Sequence, residues 1–220
     1  MIDLYCERVG PGLWAEPLNA LTNLAFIVAA WAAWRLVRRE AADSRTLVAL
    51  VFMMASIGIG SGLFHTFATP WAQALDIGPI VIFQLSFFWL YCRRMVALGT
   101  VTTFIIVACV VVGSLAGYQF MQVVNGSLAY LPALLLLVLL GTFHLAKKMV
   151  TPYSLLWAAG LFLMALTFRT IDMAVCPRFP IGTHFLWHLS NAVVIYLGMK
   201  SLVLNWPRAA VPNAASSSNF

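Results

Sequence analysis

Charged residues are scarce in this sequence, because Asp, Glu, Lys and Arg together make up only 9% of its 220 residues. Soluble domains carry roughly 25% charged residues, so the scarcity argues against a water-soluble protein. Apolar side chains account for 62% of the chain and give a mean hydropathy of +0.92. The first residues show no basic leader followed by an apolar stretch and a small-residue cleavage site, and we expect no removable signal peptide.

The sequence also lacks a continuous basic stripe. Its net charge is +6, but the Lys and Arg residues stand in small groups between apolar runs. This pattern argues against a nucleic-acid partner and is typical of membrane topology signals. Low-complexity polar sequence is confined to residues 207–220, so we predict one membrane domain over residues 1–206 followed by a flexible tail.

Seven apolar runs are long enough to cross a bilayer, since a spanning helix needs about 20 residues. The predicted spans cover residues 19–37, 46–67, 72–91, 98–119, 127–146, 153–170 and 183–204. The fold class predicted is therefore all-α, a polytopic membrane protein with a seven-transmembrane helix bundle.

Basic residues follow the first, third and fifth runs, whereas the alternate connections, 68–71 and 120–126, hold no Lys or Arg. By the positive-inside rule the N-terminus is expected on the non-cytoplasmic side and the C-terminus in the cytoplasm. Arg8 and Arg178 are exceptions to this rule. The basic residues of the inner connections are Arg35, Arg38, Arg39, Arg45, Arg93, Arg94, Lys147 and Lys148.

Three of the four histidines are expected at the non-cytoplasmic ends of their helices. His65 ends the second run, and His184 and His188 begin the seventh, one turn apart on one helix face. Three neutral imidazoles suit zinc and leave a fourth position for water, whose pKa the ion lowers to about 7. Packing histidines are the alternative, but ionisable groups in a membrane are costly and tend to be functional. We predict a zinc site here, and an interfacial role without function for His144 at the inner end.

Asp76 and Ser61 are expected at the same level of the bundle. Asp76 begins the sequence DIGP near the start of the third run, and its predicted role is general base and then general acid. The alternative is a helix-start residue favoured by the helix dipole. Ser61 precedes His65 by one helical turn, where its hydroxyl could support an oxyanion or simply allow close helix packing.

The N-terminal segment combines acidic residues with a cysteine. Asp3, Glu7 and Glu16 offer oxygen ligands for a hard cation such as calcium, and a solvated acidic loop is the alternative. Cys6 and Cys176 would both face the non-cytoplasmic side, where disulfides persist, so we predict a disulfide bridge between them.

Five short motifs occur in order along nearly the whole chain. They are CE at residues 6–7, AEPLN at 15–19, SGLFH at 61–65, DIGP at 76–79 and HFLWH at 184–188. Their combination resembles the alkaline ceramidase family of the CREST superfamily of membrane hydrolases. The resemblance implies a seven-helix enzyme that hydrolyses the ceramide amide to a sphingoid base and a fatty acid.

The same resemblance implies a role for each matching residue. Zinc would be held by the three histidines, with Ser61 and Asp76 assisting catalysis. A calcium site near the N-terminus and an outer disulfide are also implied. Glu7 and Glu16 match two calcium ligands of the family, while Leu4 and Val9 stand where the family has an Asp and an Asn, so Asp3 would be the substitute.

Other functions remain compatible with the residues. The same zinc chemistry could act on another lipid amide or ester, since the cleft sets the substrate. A seven-helix receptor or sensor for a lipid is a second alternative, although a carboxylate beside an open metal position favours hydrolysis. A transporter would place polar residues along a path through the midplane, whereas here they gather at one end. The expected partners are the bilayer and a lipid substrate that enters from it.

Overall fold

The computed structural model describes residues 1–207, which form helices and connecting loops without any β-strand. Except for Pro207, the predicted tail lies outside the described residues. The helices are α1 (Pro17–Thr22), α2 (Leu24–Glu40), α3 (Arg45–Phe67), α4 (Pro70–Arg94), α5 (Thr100–Tyr118), α6 (Leu131–Ala146), α7 (Ser154–Val175) and α8 (His184–Leu204), and a 3-10 turn covers Val124–Tyr130.

Six helical segments of the described chain are long and apolar enough to cross a membrane. They are Pro17–Glu40, which joins α1 and α2, then Arg45–Phe67, Pro70–Arg94, Thr100–Tyr118, Val124–Ala146 and Ser154–Val175. The 21-residue helix α8 has spanning length, but its histidines, Asn191 and Lys200 make it less apolar. Together with α8 the six segments give the all-helical, seven-helix architecture predicted from the sequence.

The long helices form a closed ring. From α2 to α8 each helix packs against the next one along the chain, and α8 also packs against α2. The short helix α1 packs on α3 and α8 at one end of the bundle. That end therefore gathers the N-terminal segment, the last turns of α3 and the first turns of α8.

A short connection between α3 and α4 brings two predicted site residues to the same level. Helix α3 begins after Ser44, whose hydroxyl accepts a hydrogen bond from the N–H of Leu47 at 3.4 Å. It ends at Ala68, which has a left-handed backbone (φ 48°), and Pro70 opens α4 two residues later. The end of α3, with His65, is thus next to the start of α4.

The two helices also approach closely below this connection. Pro79 inside α4 has no N–H, so the carbonyl of Leu75 has no donor from the following turn. Gly60 of α3 faces that carbonyl so closely that a Cβ at position 60 would lie 1.9 Å from its oxygen. The contact requires glycine, and it sets the position of the neighbouring Ser61 relative to Asp76.

Candidate metal centre and active site

His65, His184 and His188 converge at one end of the bundle. All three are buried, and one nitrogen from each lies within 4.8 Å of the others. The Nε2 atoms of His65 and His188 are 3.1 Å apart. Within residues 1–207 no other three His, Cys, Asp or Glu side chains converge in this way. The structure therefore brings together the three residues predicted to bind zinc.

The hydrogen bonds of the two opposed histidines fix their tautomers. Nδ1 of His65 lies 2.5 Å from a carboxylate oxygen of Glu16, which only accepts. Nδ1 of His188 lies 3.0 Å from the hydroxyl of Thr22, which donates its own proton to a backbone carbonyl. Each Nδ1 therefore carries the proton, and both Nε2 lone pairs point at one place.

This donor set fits a zinc ion. Two opposed lone pairs on neutral imidazoles repel each other unless a cation lies between them, and imidazole nitrogen is a preferred zinc ligand. Nδ1 of His184 is buried and has no hydrogen-bond partner in the described part of the chain. A buried nitrogen without a partner is costly, so a bound metal ion would remove an unfavourable feature of the site.

Tyr5 of the N-terminal segment covers the third histidine. Its ring stacks on that of His184 with a centroid distance of 3.6 Å and an interplanar angle of 16°. Burial raises the pKa of Tyr5 to about 12, so its phenol stays neutral at physiological pH. Its oxygen accepts a hydrogen bond from Nη1 of Arg169 at 3.1 Å.

Asp172 and a disulfide hold the N-terminal segment and α8 in place. The buried Asp172 carboxylate accepts hydrogen bonds from the N–H groups of Cys6 (2.9 Å), Thr183 (2.7 Å) and His184 (2.9 Å). The structure contains the predicted disulfide between Cys6 and Cys176, with their Cα atoms 5.4 Å apart. These links connect the two ends of the sequence around the histidines.

Asp76 and Ser61 lie beside the histidine cluster. The Asp76 carboxyl group is close to the Ser61 hydroxyl and within electrostatic range of the His65 ring and of Arg169. Ser61 is buried and Asp76 is half-buried. The two residues thus lie beside the histidine cluster, at the level of the bundle predicted from the topology.

Arg169 of α7 lies at the site but was not among the residues predicted from the sequence. Its guanidinium lies over the rings of Tyr5 (5.9 Å), Tyr130 (5.6 Å) and Trp187 (5.6 Å), at distances typical of cation–π contacts. Its Nε is buried and has no hydrogen-bond partner within the described residues. An arginine within an apolar run was itself a signal, since ionisable residues in membrane helices usually have a function. The same signal applies to Asp172, three residues later.

The acidic residues proposed for calcium do not come together. Asp3 is exposed, and the carboxylate of Glu7 accepts the N–H groups of Leu18 (2.7 Å) and Asn19 (2.8 Å). The carboxylate of Glu16 instead pairs with Arg8 and with the histidine cluster. Burial alone would raise the pKa of Glu16, but hydrogen bonds from His65, Asn19 and Arg8 hold it below its ordinary value. The arrangement does not fit a calcium site built from these three residues.

An apolar cavity begins one helical turn below the site. Its volume is about 90 Å³, and Tyr130 and Trp187, which contact Arg169, form part of its wall. Ile57 and Ile80 lie one turn inward from Ser61 and Asp76 on the same helices and also line it. The remaining lining residues are mostly apolar and include Phe26, Phe83, Phe87, Ala133, Phe162 and Gly198.

His144 is buried at the opposite end of the bundle. Its Nδ1 is hydrogen-bonded to the hydroxyl of Tyr91, and its Nε2 lies 3.0 Å from the carbonyl oxygen of Val150. Both ring nitrogens thus have protein partners, which is typical of a packing histidine.

The fold and the histidine cluster define an all-helical, multi-pass membrane protein with a candidate metal centre at one end of its bundle. The sequence model of the family described as Ceramidase matches residues 5–212, and the chain therefore belongs to this family. No curated protein matches the chain significantly. Family membership and the apolar helices together support a membrane enzyme that hydrolyses ceramide.

Proposed function

We propose that this protein is a zinc-dependent hydrolase that cleaves the amide bond of ceramide-like lipids to a sphingoid base and a fatty acid. The observation that carries the proposal is the position of the three buried histidines beside Asp76 and above an apolar cavity. Held by one nitrogen of each histidine, zinc would supply a Lewis acid that activates water and polarises the amide carbonyl.

Asp76 is the general base and then the general acid of the proposed reaction. As water adds to the amide carbon, its proton passes to the Asp76 carboxylate. When the carbon–nitrogen bond breaks, Asp76 returns this proton to the leaving amine. The Ser61 hydroxyl, beside Asp76, donates a hydrogen bond to the oxygen that becomes negative as water adds.

Arg169 and Tyr5 orient the polar end of the lipid. The guanidinium has an unused Nε–H, and the neutral Tyr5 phenol accepts from Arg169 and keeps its own proton to donate. Both groups can therefore donate hydrogen bonds to lipid oxygens near Asp76. Because Tyr130 and Trp187 contact Arg169 and also line the cavity, a hydrocarbon chain in the cavity would have its polar end beside these donors.

The proposed substrate reaches the site from the bilayer. Asp76 is half-buried, and the neighbouring Leu75 and Ile77 on α4 are exposed apolar residues that suit contact with lipid. The basic residues at the opposite end of the bundle favour a cytoplasmic location for that end. The N-terminus and the active site would then lie on the non-cytoplasmic side.

Purified protein assayed with a panel of ceramides tests the proposal. We expect release of fatty acid and sphingoid base, one equivalent of zinc per chain, and loss of turnover in His188→Ala and Asp76→Asn. Asp43→Asn is the matched control for the second variant, because Asp43 is an exposed carboxylate in the connection before α3. Turnover that survives both site substitutions, or an active protein without zinc, would contradict the mechanism. Ceramide binding without turnover would instead favour a receptor.

A further inference from the structure

A buried arginine occupies the acidic N-terminal segment. The side chains of Arg8 and Glu16 are 1% and 2% exposed, and Nε of Arg8 donates to one carboxylate oxygen of Glu16. The other donors of Arg8 reach backbone carbonyls, from Nη2 to His65 at 2.9 Å and from Nη1 to Gly10 at 3.4 Å. A charged pair at this depth is favourable only when its donors and acceptors are bonded, and here each nitrogen of Arg8 and each carboxylate oxygen of Glu16 has at least one partner.

The same carboxylate orients a histidine of the metal centre. The second oxygen of Glu16 lies 2.5 Å from Nδ1 of His65 and 3.1 Å from Nδ2 of Asn19. Arg8 is therefore linked to His65 in two ways. It binds the Glu16 carboxylate that contacts the His65 ring, and it donates a hydrogen bond to the backbone carbonyl of His65. A carboxylate behind a metal-binding histidine fixes the ring and raises its basicity, and its own partners determine how well it does so.

We propose that the guanidinium of Arg8 is the permanent cation of the N-terminal segment, so that the site needs no calcium, and that Arg8 positions His65 through Glu16. The part of this proposal that concerns zinc binding rests on the function proposed above, whereas the part that concerns calcium does not. A calcium ion takes about 6–8 oxygen ligands, and carboxylates supply the negative charge among them. In this segment Glu7 uses both of its oxygens on backbone N–H groups, and Asp3 is exposed. The charge that Glu16 requires is supplied by the chain itself.

Lysine cannot replace the arginine in full. The planar guanidinium donates to the Glu16 carboxylate and to the His65 carbonyl at the same time from different nitrogens. An ammonium group is a single point with flexible attachment and cannot span both acceptors in one fixed geometry. Arg8→Lys should therefore keep the charge but lose part of the positioning.

The test begins with the wild-type protein in detergent. Its zinc content is fixed and verified, and free calcium is then titrated from resin-treated buffer to millimolar concentration while unfolding temperature and turnover are followed. We expect neither quantity to respond to calcium. A rise of the unfolding temperature or of kcat/KM with calcium would overturn the proposal. The unfolding temperature gives this answer even if the protein does not hydrolyse the lipid used in the assay.

Variants then test the link to the metal centre. Arg8→Gln should weaken zinc affinity by about 10- to 100-fold, as expected for loss of a partner behind a ligand, and Arg8→Lys by less. The visible spectrum of the cobalt-substituted protein should shift in Arg8→Gln, since it reports the ligand field at His65. Arg178→Gln removes an exposed basic residue at the same end of the bundle and should leave both readouts unchanged. Unaltered zinc affinity and cobalt spectrum in folded Arg8→Gln would refute the positioning role.

Discussion

Replacing Gly60 by alanine should impair catalysis while sparing the metal site. The new Cβ would lie 1.9 Å from the carbonyl oxygen of Leu75, and real Cβ atoms essentially never come closer than 3.0 Å to another heavy atom. Because the obstacle is backbone, no side chain can rotate away, and α3 and α4 must separate locally by roughly 1 Å. Overpacking of this kind typically costs about 1–3 kcal/mol of stability.

The separation acts directly on the proposed general base. Ser61 follows Gly60 on α3, and Asp76 follows Leu75 on α4, so the substitution moves these two side chains apart. A misplacement of about 1 Å in an active site can lower the rate about 100-fold, and we expect kcat to fall by about this factor. Zinc content should stay near wild type, because the three histidines lie on α3 and α8.

Two neighbouring glycines provide matched controls. A Cβ at Gly62 would meet its nearest atoms, on Ala20 and Asn23, at an ordinary 4.0 Å, and a Cβ at Gly78 would meet nothing within 4 Å. Ceramide turnover, zinc content and unfolding temperature are measured for all three alanine variants. Wild-type kcat in the position-60 variant, or an equal loss in either control, would show that the α3–α4 approach does not set the active geometry.

Three further outcomes are expected. Replacing Cys6 and Cys176 together by alanine should lower the free energy of unfolding by about 2–4 kcal/mol, measured as a fall in unfolding temperature; no change would mean that the bridge is dispensable. Ala133→Phe reduces the cavity volume and should raise KM for long acyl chains more than for short ones in a chain-length series, and a uniform effect would exclude the cavity as the acyl site. The pKa of Glu16 is lowered in the folded, metal-free protein, so the ionised carboxylate stabilises the fold at neutral pH. This stabilisation is lost as the pH falls through the lowered pKa. The unfolding temperature of Glu16→Gln should therefore depend less on pH in the acid range than that of the wild-type protein. Equal pH dependence of the two unfolding temperatures would contradict this.

Hydropathy and spacing predict most of the fold and the histidine cluster because both depend on local sequence. Long apolar runs must form spanning helices, and His184 and His188 are one turn apart whatever surrounds them. The predicted first span begins at residue 19, whereas the structure adds the turn that starts at Pro17. Proline fits the first turn of a helix because its missing N–H is not needed there, so this start was recognisable.

The polar contacts behind the histidines could not be predicted in the same way. Glu16 was predicted as a calcium ligand and Arg8 was noted only as an exception to the positive-inside rule, since nothing in their local sequence shows that each would be buried against the other. Their burial depends on His65, which is 49 residues from Glu16 in the sequence and comes close only when α1 packs on α3. Tertiary packing thus decides whether an acidic segment binds an external cation or an internal one.

The closed ring also determines when the enzyme can become active during biogenesis. His65 and His188 are 123 residues apart, and α8, the last helix of the described chain, completes both the ring and the ligand set. A nascent chain that has inserted only its first six long helices lacks two of the three histidines. It cannot assemble the candidate metal centre, so the hydrolysis proposed for this site would begin only after the last helix has entered the membrane.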